Sequence, residues 1–182
     1  MSDAYCFADE IVAAMPSLRA FALSLSRSQT SANDLVQETL LKAWAHQASF
    51  EPGTNLKAWL FRILRNTYFS QYRRARRECY DGGAIADMVV EEPNQPSHID
   101  MLEFADALFD LPAEQREALI LVGAEGYSYE ETAKIAGCAL GTVKSRVNRA
   151  RVNLARRLEI VDADGPDQSW FSYRNVRHER NN

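Results

Sequence analysis

The sequence predicts an all-α protein of two small helical domains joined by an acidic, flexible linker. Three observations predict it. Apolar residues recur at helical spacing along most of the chain and nowhere alternate as a half-buried strand would. Ser128 to Leu158 reads as a helix, a tight turn and a second, basic helix. Between Cys79 and about Asp100 the helical period lapses, and Gly82, Gly83, Pro93 and Pro96 stand among many acids, which is linker composition. A chain of 182 residues fits one typical domain or two small helical ones, and this lapse favours two.

The first helix is expected over Tyr5 to Met15, with Pro16 at its end opening a second one as a first-turn proline. Leu18, Phe21, Ala22 and Leu25 continue its apolar stripe. Ser31 and Asp34 form a capping-box-like start for a helix running to Trp44. Leu35, Thr39, Leu40, Ala43 and Trp44 are expected to pack inward, which leaves Asp34, Gln37, Glu38 and Lys42 on an exposed polar strip. That strip is either an interface or a plain solvated face.

Pro52-Gly53 marks a turn, and Asn55 caps a long helix toward Glu78 with Leu56, Trp59, Leu60, Ile63 and Leu64 on its core face. Beyond Asn66 the composition changes to Thr67, Tyr68, Phe69, Gln71, Tyr72, Arg73, Arg74, Arg76 and Arg77. Aromatics interleaved with arginines suit single-stranded nucleic acid, because bases stack on rings while guanidinium groups track phosphates. The alternative puts the aromatics in the core and leaves the arginines merely solvated; it fits Trp44, Phe61 and at least one of Tyr68, Phe69 and Tyr72.

Helices resume near Met101, and Leu111-Pro112 starts a new one with Glu114 in its first turn, where the helix dipole favours a carboxylate. Leu119, Ile120 and Val122 are expected under the segment that follows. There, Ser128 and Glu131 form a capping box, Ala133, Ile135 and Ala136 give a small apolar face, and Gly137 supplies the left-handed stop. Gly141-Thr142 offers the next cap, after which Val143, Val147, Ala150, Leu154 and Leu158 make one buried stripe. Ser145, Asn148, Arg149 and Arg156 fall opposite it, and Lys144, Arg146 and Arg151 widen the polar face. This is the pattern of a helix-turn-helix whose second helix suits a major groove; an ordinary helical hairpin with a solvated basic face shares it. The tail after Leu158 carries Trp170, Phe171 and Tyr173 without helical period, as a disordered end or an aromatic clip onto a partner would.

Net charge is -4, which excludes a bulk polycation, yet the charge is unevenly spread. Arginines concentrate in Arg62 to Arg77 and again among Lys144 to Arg157, whereas Asp81 to Glu103 holds acids and no Lys or Arg. Cys6, Cys79 and Cys138 are odd in number and form no C-x-x-C pair, so neither a disulfide framework nor a zinc site is indicated, and a reducing cytoplasm is the expected location. The N-terminal dozen residues carry acids where a secretory signal has Lys or Arg, and no apolar run reaches membrane-spanning length. His46, His98 and His178 stand in no ligand or nucleophile spacing, and no Gly-rich phosphate loop is present. No catalytic residue, metal, cofactor or small-molecule substrate is therefore expected.

Five motifs in order give the chain a resemblance. Asp34-Leu-Val-Gln-Glu with Leu41-Lys-Ala-Trp44, then Trp59-Leu-Phe-Arg-Ile-Leu-Arg-Asn-Thr67, Leu111-Pro112, Gly126-Tyr-Ser-Tyr-Glu-Glu131 and Gly141-Thr-Val-Lys-Ser-Arg-Val-Asn-Arg-Ala-Arg151 resemble the extracytoplasmic-function sigma factors of bacteria over roughly residues 5 to 158. Leu121-Val-Gly-Ala, Gly137-Cys138 and the Val-Asn-Arg-Ala-Arg run are similar to the general-stress subgroup, EcfG. The resemblance implies sigma region 2 over residues 1–78, an acidic linker over 79–103, sigma region 4 with its helix-turn-helix over 104–160 and a tail over 161–182. It implies that Asp34, Gln37, Glu38 and Lys42 face core RNA polymerase. Arg62, Asn66, Thr67, Tyr68, Arg73, Arg74, Arg76 and Arg77 would bind the single-stranded -10 element, with Asn66 and the residues after it around a flipped base. Thr142, Lys144, Ser145, Asn148, Arg149 and Arg151 would bind the -35 duplex, Thr142 through a phosphate at the helix start.

The subgroup further implies a NepR-like anti-sigma factor that holds the protein inactive and a PhyR-like regulator that releases it. The linker acids Asp87, Glu91 and Glu92 would suit a basic polymerase channel by mimicking nucleic acid. Three positions depart from the family pattern: Leu140 stands where many relatives have proline, Asn148 where some have an aromatic, and Arg65 where a small or apolar residue is frequent. Two other readings compete. A sigma-like decoy that titrates an anti-sigma factor would have lost its basic recognition face, and a dimeric regulator with one helix-turn-helix would leave Asp34 to Arg77 unexplained.

Overall fold

The computed structural model describes residues 7–82 and 99–158, and among these every regular element is helical. The tail from 159, residues 83–98 of the expected linker with Asp87, Glu91 and Glu92, and the first six residues lie outside the described residues. The described order is α1 (Phe7–Ser26), α2 (Gln29–Ala45), a 3-10 turn (Gln47–Ser49), α3 (Leu56–Gly82), α4 (Ile99–Phe109), α5 (Ala113–Gly123), α6 (Tyr129–Ala136) and α7 (Leu140–Arg157).

Helices α1, α2 and α3 pack around Leu18, Phe21, Leu25, Leu35, Leu60, Phe61 and Leu64, all essentially buried. The break expected at Pro16 is absent, because α1 runs straight through it. Proline there removes the amide that would bond the carbonyl of Val12. Both residues lie on the exposed side of the helix, where solvent can donate to the Val12 carbonyl in place of the missing amide. The start of α2 also differs: the cap is Ser28, whose hydroxyl accepts from the Ser31 amide, and not Ser31 itself. Arg27 adopts a left-handed φ of 61° just before it, which turns the chain sharply enough to begin α2 earlier. Trp44, expected inside, is 53% exposed and packs at a tilt against Phe7 of the core, ring centres 5.4 Å apart. Phe7, Phe50 and Trp59 already fill that end of the bundle.

In the second unit, α5 and α7 pack through Ala118, Val122, Val143 and Val147. The helix-turn-helix is built as its sequence demands. Ser128 accepts from the Glu131 amide at 3.1 Å while Glu131 accepts from the Ser128 amide at 2.9 Å, and Gly137 closes α6 at φ 62°. Because α6 has only eight residues, this cap is a large share of what holds it. Ser128→Ala is expected to remove about 1 kcal/mol, read as a lowered midpoint in thermal unfolding. Helix α7 begins one residue before Gly141, at Leu140, with Ala139 as its cap.

The two units are packed against each other. Phe61 of α3 meets Tyr127 edge-on at 5.8 Å, and Leu121, Tyr127 and Ile135 join the same buried cluster as the first three helices. Arg116 of α5 donates to the Leu25 carbonyl at the end of α1, and also to the carbonyls of Phe109 and Leu111. Lys57 pairs with Glu125 at 2.6 Å across the same seam.

Candidate functional site

The polar strip of α2 is real and partly tied down. Asp34 and Gln37 are exposed, while Glu38 and Lys42 are half-buried. Glu38 pairs with Lys42 at 2.6 Å and accepts from Gln71 of α3 at 2.6 Å. Lys42 in turn donates to the Thr67 hydroxyl at 2.9 Å. The ion pair itself is too exposed to add much stability; its effect is to fix the strip against α3. Leu41, 70% exposed, and Trp44 extend the strip with apolar surface. Sequence reasoning missed both, although the spacing Asp34, Gln37, Leu41, Trp44 is that of a single helix face.

Part of the polar surface of α3 lies along one face. Trp59, Arg62, Ile63, Asn66, Ser70, Arg73 and Arg77 recur at three- and four-residue steps and so line up along it. An open cavity of about 360 Å³ lies between this face, the end of α2 and the 3-10 turn, lined by Lys42, His46, Ser49, Trp59, Ile63, Asn66, Thr67 and Ser70. Its size is that of a small-ligand site. A neighbouring groove of about 620 Å³ is lined by Ser70, Arg73, Arg76 and Arg77. Arg62, Arg73, Arg74, Arg76 and Arg77 are all exposed.

Asn66 is exposed beside the cavity, where its amide has room to meet a base edge. Thr67 reaches the cavity but is buried and already bonded to Lys42. Tyr68 is not brought together with Asn66: two positions along the helix, it points to the opposite side, buried among Phe69, Tyr72 and Arg116. Burial raises its hydroxyl's pKa, with the Arg116 charge opposing. His46, Ser49 and Trp59 are cavity residues that sequence reasoning did not select. They come from the connection after α2 and the start of α3, and no local pattern marks them.

On α7, Lys144, Asn148 and Arg149 are exposed on one face, continued by Val152. Ser145 is half-buried and donates to the Thr142 carbonyl at 2.9 Å, while Thr142 sits half-buried in the first turn. Arg151 stands apart from this group. It is half-buried beside Tyr129 of α6, and desolvation lowers its pKa. Arg146 likewise turns inward, with a guanidinium nitrogen 3.7 Å from the Cys138 sulfur.

Arg65, the odd residue of α3, has its partner in the other unit. Its Nε donates to Glu117 Oε1 at 2.7 Å, Nη1 donates to Asn66 Oδ1 at 3.3 Å, and its guanidinium lies 4.7 Å from the centre of the Phe69 ring. Glu117 is fully buried, and its second oxygen, Oε2, has no hydrogen-bond partner. Burial pushes its carboxyl up to about 6, outweighing the attraction of Arg65. A carboxyl that holds its proton more tightly folded than unfolded contributes stability that is present below about pH 4.5 and lost as pH rises through about 6. Lowering the pH from 7 to 4.5 is therefore expected to make wild type gain up to about 2 kcal/mol relative to Glu117→Gln. Equilibrium denaturation of both proteins across that range measures the difference.

The described residues contain no cluster of three or more metal-ligating side chains, and no helix is long and apolar enough to cross a membrane. Residues 11–78 match the Sigma-70 region 2 family and residues 101–154 match Sigma-70, region 4. The chain is 56% identical over 164 residues to the ECF RNA polymerase sigma factor EcfG of Rhodopseudomonas palustris, covering 88% of this chain and 91% of that protein. Among solved structures it is similar to the sigma factor RpoE of Bartonella quintana in complex with the anti-sigma factor NepR, with TM-score 0.77, 52% identity and coverage of 86% and 98%. It is also similar to CnrH in complex with the cytosolic domain of CnrY, with TM-score 0.61, 27% identity and coverage of 86% and 89%.

Proposed function

Since this chain belongs to the extracytoplasmic-function sigma factors of RNA polymerase, we propose how it initiates transcription of general-stress genes and which residues carry each contact. It binds core polymerase and promoter DNA, acts by binding and strand separation and not by covalent chemistry, and works in the cytoplasm. Residues 1–78 form the unit for core polymerase and the -10 element, and residues 104–160 form the unit for the -35 element.

The single observation that supports this reading is that one chain displays two separate exposed polar and basic faces: the Asn66 cavity with its arginine groove on α3, and Lys144, Asn148 and Arg149 on α7. In the first unit the cavity takes an unstacked base, Asn66 reads its edge, and Trp59 and Ile63 supply the apolar wall. Arg62, Arg73, Arg74, Arg76 and Arg77 hold the phosphates and make binding salt-dependent. In the second, Lys144, Asn148 and Arg149 read base edges in the major groove, Thr142 and Ser145 sit at the helix start against a phosphate, and Arg151 contributes from its edge. Asp34, Gln37, Glu38 and Lys42, with Leu41 and Trp44 beside them, dock on core polymerase.

An anti-sigma factor of the NepR type, the partner in the Bartonella structure, holds the protein inactive until it is removed. A reconstituted run-off reaction tests this reading. Core polymerase and the chain together yield RNA from a stress promoter, core alone yields none, and adding a NepR-type protein abolishes the product. The sigma-like decoy is disfavoured by the same two exposed basic faces, which a protein that never meets DNA has no use for.

A further inference from the structure

Lys42 stands on the α2 strip proposed for docking, yet its side chain ends in the cavity proposed for the unstacked base. Its ammonium donates to the Thr67 hydroxyl at 2.9 Å and pairs with Glu38 at 2.6 Å, and Glu38 in turn accepts from Gln71 at 2.6 Å. That chain of side chains, drawn from α2 and α3, holds one cation in place at the cavity wall. The pair with Glu38 leaves the charge available, because an ion pair whose side chains are 42% and 40% exposed is worth little in water. An ammonium has three N–H donors and no acceptor. Among the described residues Thr67 and Glu38 each take one, and the remaining donor is left for whatever fills the cavity.

Asn66, beside the cavity, presents the same polarity. Its Oδ1 accepts from Arg65 Nη1 at 3.3 Å, which commits the oxygen to the protein and leaves the NH2 group to meet a base. Of the side chains that line the cavity, Lys42 and Trp59 can only donate. A site with this excess of donors favours a base edge that carries acceptors in pairs. Cytosine offers O2 beside N3, thymine O2 and O4, and guanine O6 beside N7. Adenine has no carbonyl, and on both its pairing edge and its major-groove edge an amino donor sits next to the acceptor.

Resting on the sigma-factor reading above, we propose that Lys42 is a specificity-determining residue of the -10 cavity: its ammonium donates to a ring carbonyl of the unstacked base and so selects cytosine, thymine or guanine against adenine. Glu38 and Thr67 are positioning residues for that ammonium. Lys42 thereby has its stem on the docking strip and its charged head in the reading of the strand.

Fluorescence anisotropy of the holoenzyme on a labelled single strand carrying the -10 element of a promoter that it transcribes tests this. Core polymerase and each full-length variant are mixed at saturating concentrations, and affinities for different bases are compared within one holoenzyme, so weakened docking does not enter the ratio. An abasic site is placed at each position in turn; the position where it weakens wild type but not Asn66→Ala marks the base in the cavity. There, wild type is expected to bind each carbonyl base about tenfold more tightly than adenine. Lys42→Met, close in length but without donors, is expected to bring that ratio below about threefold. Lys42→Gln, whose amide oxygen can accept from the adenine amino group, is expected to bind adenine at least as tightly as the other bases. A residue that only ties α2 to α3 behaves differently: both variants then lose affinity for every base alike and keep the wild-type ratio, which overturns the proposal. So does a wild type that binds adenine as tightly as the carbonyl bases, a result that needs no substitution and stands even if a variant misfolds. A wild-type holoenzyme that yields no RNA from the promoter overturns the sigma reading instead, and is detected before any base is varied.

Discussion

Phe61→Ala is expected to lower the unfolding free energy by about 3–5 kcal/mol, a large fraction of the roughly 5–15 kcal/mol that holds a domain of this kind together. The ring is completely buried, lies edge-on to Phe21 at 4.8 Å and edge-on to Tyr127 at 5.8 Å, and so belongs to both units at once. Truncation leaves a cavity whose walls are α1 and α3 on one side and the segment before α6 on the other. Neither wall is free to collapse without disturbing the seam. Urea denaturation followed by both far-ultraviolet circular dichroism and tryptophan fluorescence reads the result. With Trp170 of the tail replaced by phenylalanine in both proteins, Trp44 and Trp59 report the first unit, whereas dichroism reports all the helices. Coincident transitions in wild type that separate in Phe61→Ala are the expected outcome; a loss of unfolding free energy below about 1 kcal/mol would show that the ring is not a shared core residue.

The second large effect is expected at Asn66. Replacing it with alanine removes the one exposed amide beside the cavity and leaves Trp59, Ile63 and the arginine groove intact. Loss of a base-reading contact of this kind is worth about 1–3 kcal/mol, so open-complex formation is expected to fall by roughly ten- to a hundredfold. Affinity for core polymerase is expected to stay unchanged, because Asp34, Gln37, Glu38, Leu41 and Trp44 all stand on α2. The substitution also removes the oxygen that Arg65 engages at 3.3 Å. Arg65 keeps Glu117 and the Phe69 ring, so the packing of the two units should survive. Permanganate footprinting of the melted strand, alongside gel filtration with core polymerase, separates the two expectations.

What the sequence made legible was local. The capping box of Ser128 and Glu131, the stop at Gly137 and the stripe of Val143, Val147 and Ala150 are each decided within a few residues, and the structure has all of them, whereas Leu154 and Leu158 at the end of the expected stripe are only half-buried. Ser28 was harder to see, because Ser31 offers an equally good hydroxyl and only the left-handed Arg27 decides between them. Pro16 looked like a boundary because a helix-interior proline loses an amide donor and crowds the preceding turn; here Pro16 and Val12 are both on the exposed side, where solvent limits that cost.

The seam was illegible for a different reason. Phe61, Leu121, Tyr127 and Ile135 fit the core of their own units equally well by periodicity, so nothing in their spacing announced a partner in the other half. Arg65 gave a hint, as a bulky cation where the family pattern frequently has a small or apolar residue. Its explanation lies 52 positions away, at Glu117. Among the candidate site residues, Lys144, Asn148 and Arg149 lie where the helical wheel put them. Tyr68 and Arg151 belong instead to contacts between helices, which a wheel drawn for one helix does not contain.

Run-off transcription with purified core polymerase on a general-stress promoter, comparing wild type with Asn66→Ala and Arg149→Ala, tests the central claim most directly. The expected result is RNA from wild type and loss of most of it from each variant, with core binding retained by all three. A wild type that binds core polymerase or an anti-sigma factor yet never initiates would contradict the sigma-factor reading and make this chain a decoy.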